Sequence, residues 1–78
     1  MKFTDYFATI RTRADRACIT DEWLQRVMEN PIREEFQEDG RIRRWAAIAE
    51  MEGRYLRVIL LEDGETVHNA FFDRRFKP

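Results

Sequence analysis

Every glycine in this chain follows an acidic residue: Asp39-Gly40, Glu52-Gly53 and Asp63-Gly64. Glycine reaches positive φ without steric cost, so each pair marks a turn. Asp-Gly between alternating apolar segments is also a strong short-range hairpin signal. The segments around these turns have strand length and a period of two. Ile32, Glu34 and Phe36 alternate with Arg33, Glu35 and Gln37. In the longer segment Arg41–Met51, one side carries Trp45, Ala47, Ala49 and Met51, and the other carries Ile42, Arg44, Ala46 and Ile48. Residues 55–61 hold five aliphatic side chains, and residues 66–72 form a fourth segment. The connections are too short for crossovers, so consecutive strands are expected to pair antiparallel.

Before residue 32 the period changes to that of a helix. Phe3, Tyr6, Phe7, Ile10, Ala14 and Ala17 recur three and four apart, which predicts a helix over 4–17 with Thr4 as N-cap. A second helix is expected over 20–30. Thr20 caps it, Asp21 and Glu22 favour its positive end, and Pro31 stops it. Its apolar face is Trp23, Leu24, Val27 and Met28. Helices followed by a meander imply an α+β domain: two N-terminal helices packed on one face of a four-stranded antiparallel sheet, the other face left open.

A chain of 78 residues allows one domain, 1–78. Such a chain buries only about 60 % of its unfolded surface, so the ten aromatic residues and the aliphatic strands must carry a small core. Cys18 is the only cysteine, which excludes an internal disulfide and a cysteine metal site; the reading is a buried small hydrophobe in a reducing, cytoplasmic setting. No apolar run approaches membrane-spanning length, and no apolar leader follows Met1. No membrane partner and no cofactor are expected.

Net charge is −1, from 14 basic and 15 acidic residues, which excludes a generally basic nucleic-acid-coating protein. The balance is uneven. Residues 1–40 carry 6 basic and 9 acidic side chains; residues 41–78 carry 8 and 6. All but two of the basic residues are arginine, whose planar fork suits phosphate and carboxylate.

Five short stretches are similar to the RelE/ParE-like superfamily of small prokaryotic toxins, and to its BrnT-type members in particular. They are Ile19-Thr20, Asn30-Pro31, Arg43–Ile48, Gly53–Val58 and Gly64–His68. The resemblance spans about Arg16 to Arg75. It implies the RelE/BrnT toxin-like fold, endoribonuclease activity on free or ribosome-bound RNA, and an antitoxin partner. In that comparison Arg44 matches the strand arginine before Trp45, His68 stands where an arginine is frequent, and Arg74 or Arg75 matches the arginine at the strand end.

Metal-independent RNA cleavage needs a base, an acid and donors for the developing phosphate charge. His68 is the one side chain with an ordinary pKa near neutrality. The expected catalytic set is His68, Arg44 and Arg74. Tyr55, Arg57, Arg75 and Lys77 are the expected substrate-binding residues, with Arg44, Tyr55, Arg57 and His68 sharing one polar sheet face. Asn69 and Thr66 are expected to support His68. A serine hydrolase is excluded, because the chain has no serine. The alternative is a non-catalytic protein-interaction domain, with a homodimer as one form of it, which the lack of net positive charge favours.

Overall fold

A computed structural model describes all residues, Met1–Pro78. The elements in chain order are β1 (Lys2–Phe3), α1 (Asp5–Ile10), α2 (Asp21–Glu29), β2 (Arg33–Phe36), β3 (Ile42–Ile48), a 3₁₀ turn (Ala49–Met51), β4 (Arg54–Leu60) and β5 (Thr66–Phe72). The strands form one sheet in the order β1-β5-β4-β3-β2.

The α+β class and the β2–β5 meander match the sequence expectation. The sheet has five strands, not four, and it is mixed. Lys2 and Phe3 pair in parallel with Thr66 and Val67, and Thr4 N–H donates to Val67 O at 3.0 Å. A strand therefore precedes α1, and the helices are not both N-terminal. A two-residue strand has no periodicity to read, and its partner lies more than sixty residues away.

Both expected caps form. Thr4 Oγ1 accepts from Phe7 N–H and Thr20 Oγ1 from Trp23 N–H, each at 3.1 Å, satisfying a donor that the first helical turn leaves open. α1 stops at Ile10, well short of residue 17. There the bonding tightens to three-residue spacing, with Thr12 N–H on Thr9 O, Arg13 N–H on Ile10 O and Arg16 N–H on Arg13 O. Thr12 Oγ1 takes Thr9 O at 2.8 Å, a side-chain competitor for the helical ladder. Ala14, Ala17 and Cys18 consequently lie exposed, so Cys18 is not a core residue.

The core lies between the helices and one sheet face. Phe7 and Ile10 of α1 and Leu24 and Val27 of α2 meet Ile42, Ala46, Ile48, Leu56, Val58, Leu60, Val67 and Ala70. β3 pairs with β4 so that Ala46 faces Leu56, Arg44 faces Val58 and Trp45 faces Arg57. Alternation then assigns Arg43, Trp45, Tyr55 and Arg57 to the opposite face. A bulge between β4 and β5 inserts His68, since Leu60 pairs with Val67 and Ile59 with Asn69.

Trp45 is buried at 4 % exposure although it is on the face away from the helices, and it is not part of the main core. Its cover is the C-terminal tail. Phe76 stacks on Trp45 with centroids 5.0 Å apart and tilts against Tyr55 at 5.0 Å. Arg33 lies over the Phe76 ring at 4.9 Å. No helix is long and apolar enough to cross a membrane.

Candidate functional site

Two of the expected site residues, Tyr55 and Arg57, share the face away from the helices; His68 stands in the β5 bulge at the sheet edge, against Thr4 and Tyr6 at the start of α1. Arg44 does not share that face. Register places it on the helix side, where Nε donates to Glu34 Oε2 at 2.5 Å and Nη1 to Met28 O at 3.1 Å. There it joins β2 to the end of α2. Its neighbour Arg43 occupies the face expected for Arg44, with Glu35 at 3.8 Å.

His68 is held at the sheet edge. Its Nδ1 lies 3.2 Å from Thr4 Oγ1. That oxygen also accepts from Phe7 N–H, and its hydroxyl either donates to Nδ1 or accepts from it according to the imidazole tautomer. Tyr6 stacks on the ring at 5.1 Å. Burial, then the charge of Arg41, lower the His68 pKa, partly offset by Asp39. Thr66 bonds Asp63 and Asn69 bonds the Ala70 N–H, so neither supports His68. The partners Thr4 and Tyr6 carried no sequence signal, because the β1–β5 pairing that delivers them was itself invisible.

Arg74 lies in the turn after Phe72, with the rest of β5 between it and His68, and Arg44 is on the helix side of β3. One phosphate cannot touch His68, Arg44 and Arg74 together. The structure brings together a different set.

Most cations are already engaged. Lys2, Arg11, Arg16, Arg26, Arg41, Arg43, Arg44 and Arg57 each lie within 4.0 Å of a carboxylate. The six without such a partner are Arg13, Arg33, Arg54, Arg74, Arg75 and Lys77. All but Arg13 gather at the end of the sheet where β4 begins and β5 ends. Arg54 and Arg74 line a shallow groove of about 380 Å³ with Glu52, Gly53, Tyr55, Phe72, Asp73 and Phe76. Arg54 lies over the Phe72 ring at 4.6 Å, and Arg33 over Phe76.

Asp73 organises this end. Its Oδ2 accepts from Trp45 Nε1 at 3.0 Å and lies 3.6 Å from Arg57; its Oδ1 accepts from Arg75 N–H at 3.0 Å. Its own N–H donates to Tyr55 O at 2.9 Å. Burial pushes its carboxyl upward, but the Trp45 and Arg75 hydrogen bonds and the Arg57 charge outweigh this and hold it below the ordinary value. Burial and the like charge of Arg43 lower Arg57, against the pull of Asp73. Asp73 thus spends its charge on Arg57 and the tail, and Glu52 is the groove's one other acid. Of the expected binding residues, Tyr55 and Arg74 line the groove, Arg75 and Lys77 flank it on the tail, and Arg57 lies beneath, against Trp45 and Phe71.

No group of three or more His, Cys, Asp or Glu side chains is placed to hold a metal ion. No protein family, characterised protein or solved structure matches this chain.

Proposed function

We propose that this protein is an RNA-binding module that engages single-stranded RNA at the groove where β4 begins and the tail folds back. One observation carries the reading: five of the six cations left without carboxylate partners gather there, around the half-buried rings of Tyr55, Phe72 and Phe76. A positively charged groove with aromatic platforms is the recurring arrangement for single strands, in which arginines meet phosphates and rings stack bases. The resemblance to RelE/BrnT-type toxins supports RNA, free or on the ribosome, as the ligand class, and a cytoplasmic setting with an antitoxin partner. Binding is proposed in preference to cutting, because His68 and Arg44 lie outside the groove.

The test is fluorescence anisotropy with a labelled single-stranded RNA of mixed sequence, across a salt series. The Arg54→Ala/Arg74→Ala/Arg75→Ala variant should bind at least tenfold more weakly. The slope of log affinity against log salt should fall by about 0.7 for each phosphate contact removed. No binding by the native chain at low salt, or equal binding by the variant, rejects the proposal.

A further inference from the structure

The sheet has two edges, and they are treated differently. At the β5 side, β1 covers the start of the strand, and Arg16 Nε takes the free Ala70 carbonyl at 3.0 Å. At the other side, β2 is bare. Its four residues are all exposed and pair with β3 in one register as far as Arg33, where Ile32 N–H also turns in to Trp45 O; it holds no lysine or proline, and its charges, Arg33, Glu34 and Glu35, are of both signs. It also presents Phe36 at 73 % exposure and Ile32 at 54 %, the two most exposed large apolar side chains of the protein.

We infer that β2 pairs with β2 of a second copy of this chain, antiparallel and centred on Glu34. The Gln37 N–H donates to Arg41 O, so by alternation the backbone groups of Arg33 and Glu35 also face β3, and those of Glu34 and Phe36 face outward. Centring on Glu34 sets those outward groups against their counterparts. It puts Arg33 of each copy opposite Glu35 of the other, twice. Ile32, in the bend before β2 with its N–H on Trp45 O, lies outside the paired segment, so the charge pairs carry the register. Glu34 then meets Glu34, but each is already held by its own Arg44.

Neighbouring registers lack this complementarity. Centring on Glu35 opposes Glu35 to itself and leaves Arg33 facing Gln37. Centring on Phe36 sets Glu34 against Glu38. Arg33 has no carboxylate within its own chain, and Glu35 only the long contact to Arg43, so both are free to pair across the interface. The product is a continuous ten-stranded sheet with all helices on one face. This is an isologous contact, in which one patch serves both subunits.

Sedimentation equilibrium over a wide concentration range tests the inference. The native chain should show a monomer–dimer equilibrium. Arg33→Glu and Glu35→Arg should each weaken self-association at least tenfold, because each sets like charges opposite one another. A mixture of the two single variants should recover a mixed dimer, since each then presents the charge the other lacks. Both positions are exposed, and circular dichroism verifies folding. A native chain that stays monomeric throughout overturns the inference. So does a dimer indifferent to both reversals, or a mixture that does not associate; a third protein seated on β2 is then the occupant to seek.

Discussion

Truncating Phe76 to alanine isolates what the tail does. The ring is half-buried, stacks on Trp45, leans on Tyr55 and lies under Arg33. Each aromatic pair contributes about 0.5–1.5 kcal/mol beyond its area, and an exposed cation–π contact about 0.5 kcal/mol. Removal of a fully buried Phe costs about 3–5 kcal/mol, which bounds a half-buried one from above. These figures converge on about 2 kcal/mol for Phe76→Ala, or roughly 8–16 °C of Tm in a domain of this size. Trp45 supplies an independent reading: with Phe76 gone, the indole loses its cover while its bond to Asp73 persists. Its fluorescence should shift to longer wavelength and become open to acrylamide quenching, with Trp23→Phe as background to remove the second emitter. A loss below about 0.5 kcal/mol, the scale of an ordinary surface substitution, with unchanged emission, refutes the assignment of the tail as the cover of this face.

Three further outcomes follow from the geometry. Arg44→Ala should lower stability by about 1 kcal/mol, a charged hydrogen bond discounted for the partial exposure of Glu34, while RNA anisotropy stays unchanged. Glu52 adopts the left-handed region at φ 58, so Glu52→Asn should stabilise by about 0.5 kcal/mol in thermal melts and, by removing an acid from the groove, tighten RNA binding. Folding lowers the His68 pKa, so the unfolded chain binds the extra proton more readily; stability should fall as pH drops from about 7.5 through the unfolded value near 6.5, and His68→Gln should remove that slope from Tm-against-pH curves. Asp63, held at about 2 by Thr66 and the backbone N–H groups of Glu65 and Thr66, gives a separate loss only in stronger acid, between about pH 4 and pH 2.

The meander was legible because turn chemistry and side-chain period agreed from residue 32 onward, although the segment read as a strand over Arg41–Met51 pairs only over Ile42–Ile48 and ends in a 3₁₀ turn at Ala49–Met51. Thr66–Phe72 forms as read, and β4 differs only by starting at Arg54 and ending at Leu60. The caps were legible for the same reason: Thr4 and Thr20 stand directly before acidic first turns. What escaped was non-local. The apolar spacing through Ala14 and Ala17 continued a helix that Thr12 and the tightened bonds after Ile10 end. Trp45 resembled core by type, and it is buried, but by a tail whose last aromatic residue folds back over the sheet.

The charge pattern shows why the site escaped too. Dividing the sequence at residue 40 gives an acidic half and a basic half, but strands that run back and forth do not respect that division. The Asp39-Gly40 and Asp63-Gly64 turns lie at one end of the sheet, close enough that a Cβ on Gly40 would clash with the Glu62 carboxylate. Glu38, Asp39, Glu62, Asp63 and Glu65 gather there. Arg54, Arg74, Arg75 and Lys77 gather at the other end, which the Glu52-Gly53 turn and the tail share. The polarity therefore runs along the strands, and the two ends nearly cancel in the total of −1. Ion pairing sharpens it further: it engages Arg43, Arg44 and Arg57 in the middle of the sheet and leaves the terminal cations unengaged. A phosphate approaching this molecule meets attraction at one end and repulsion at the other, so a nearly neutral chain can still orient a polyanion.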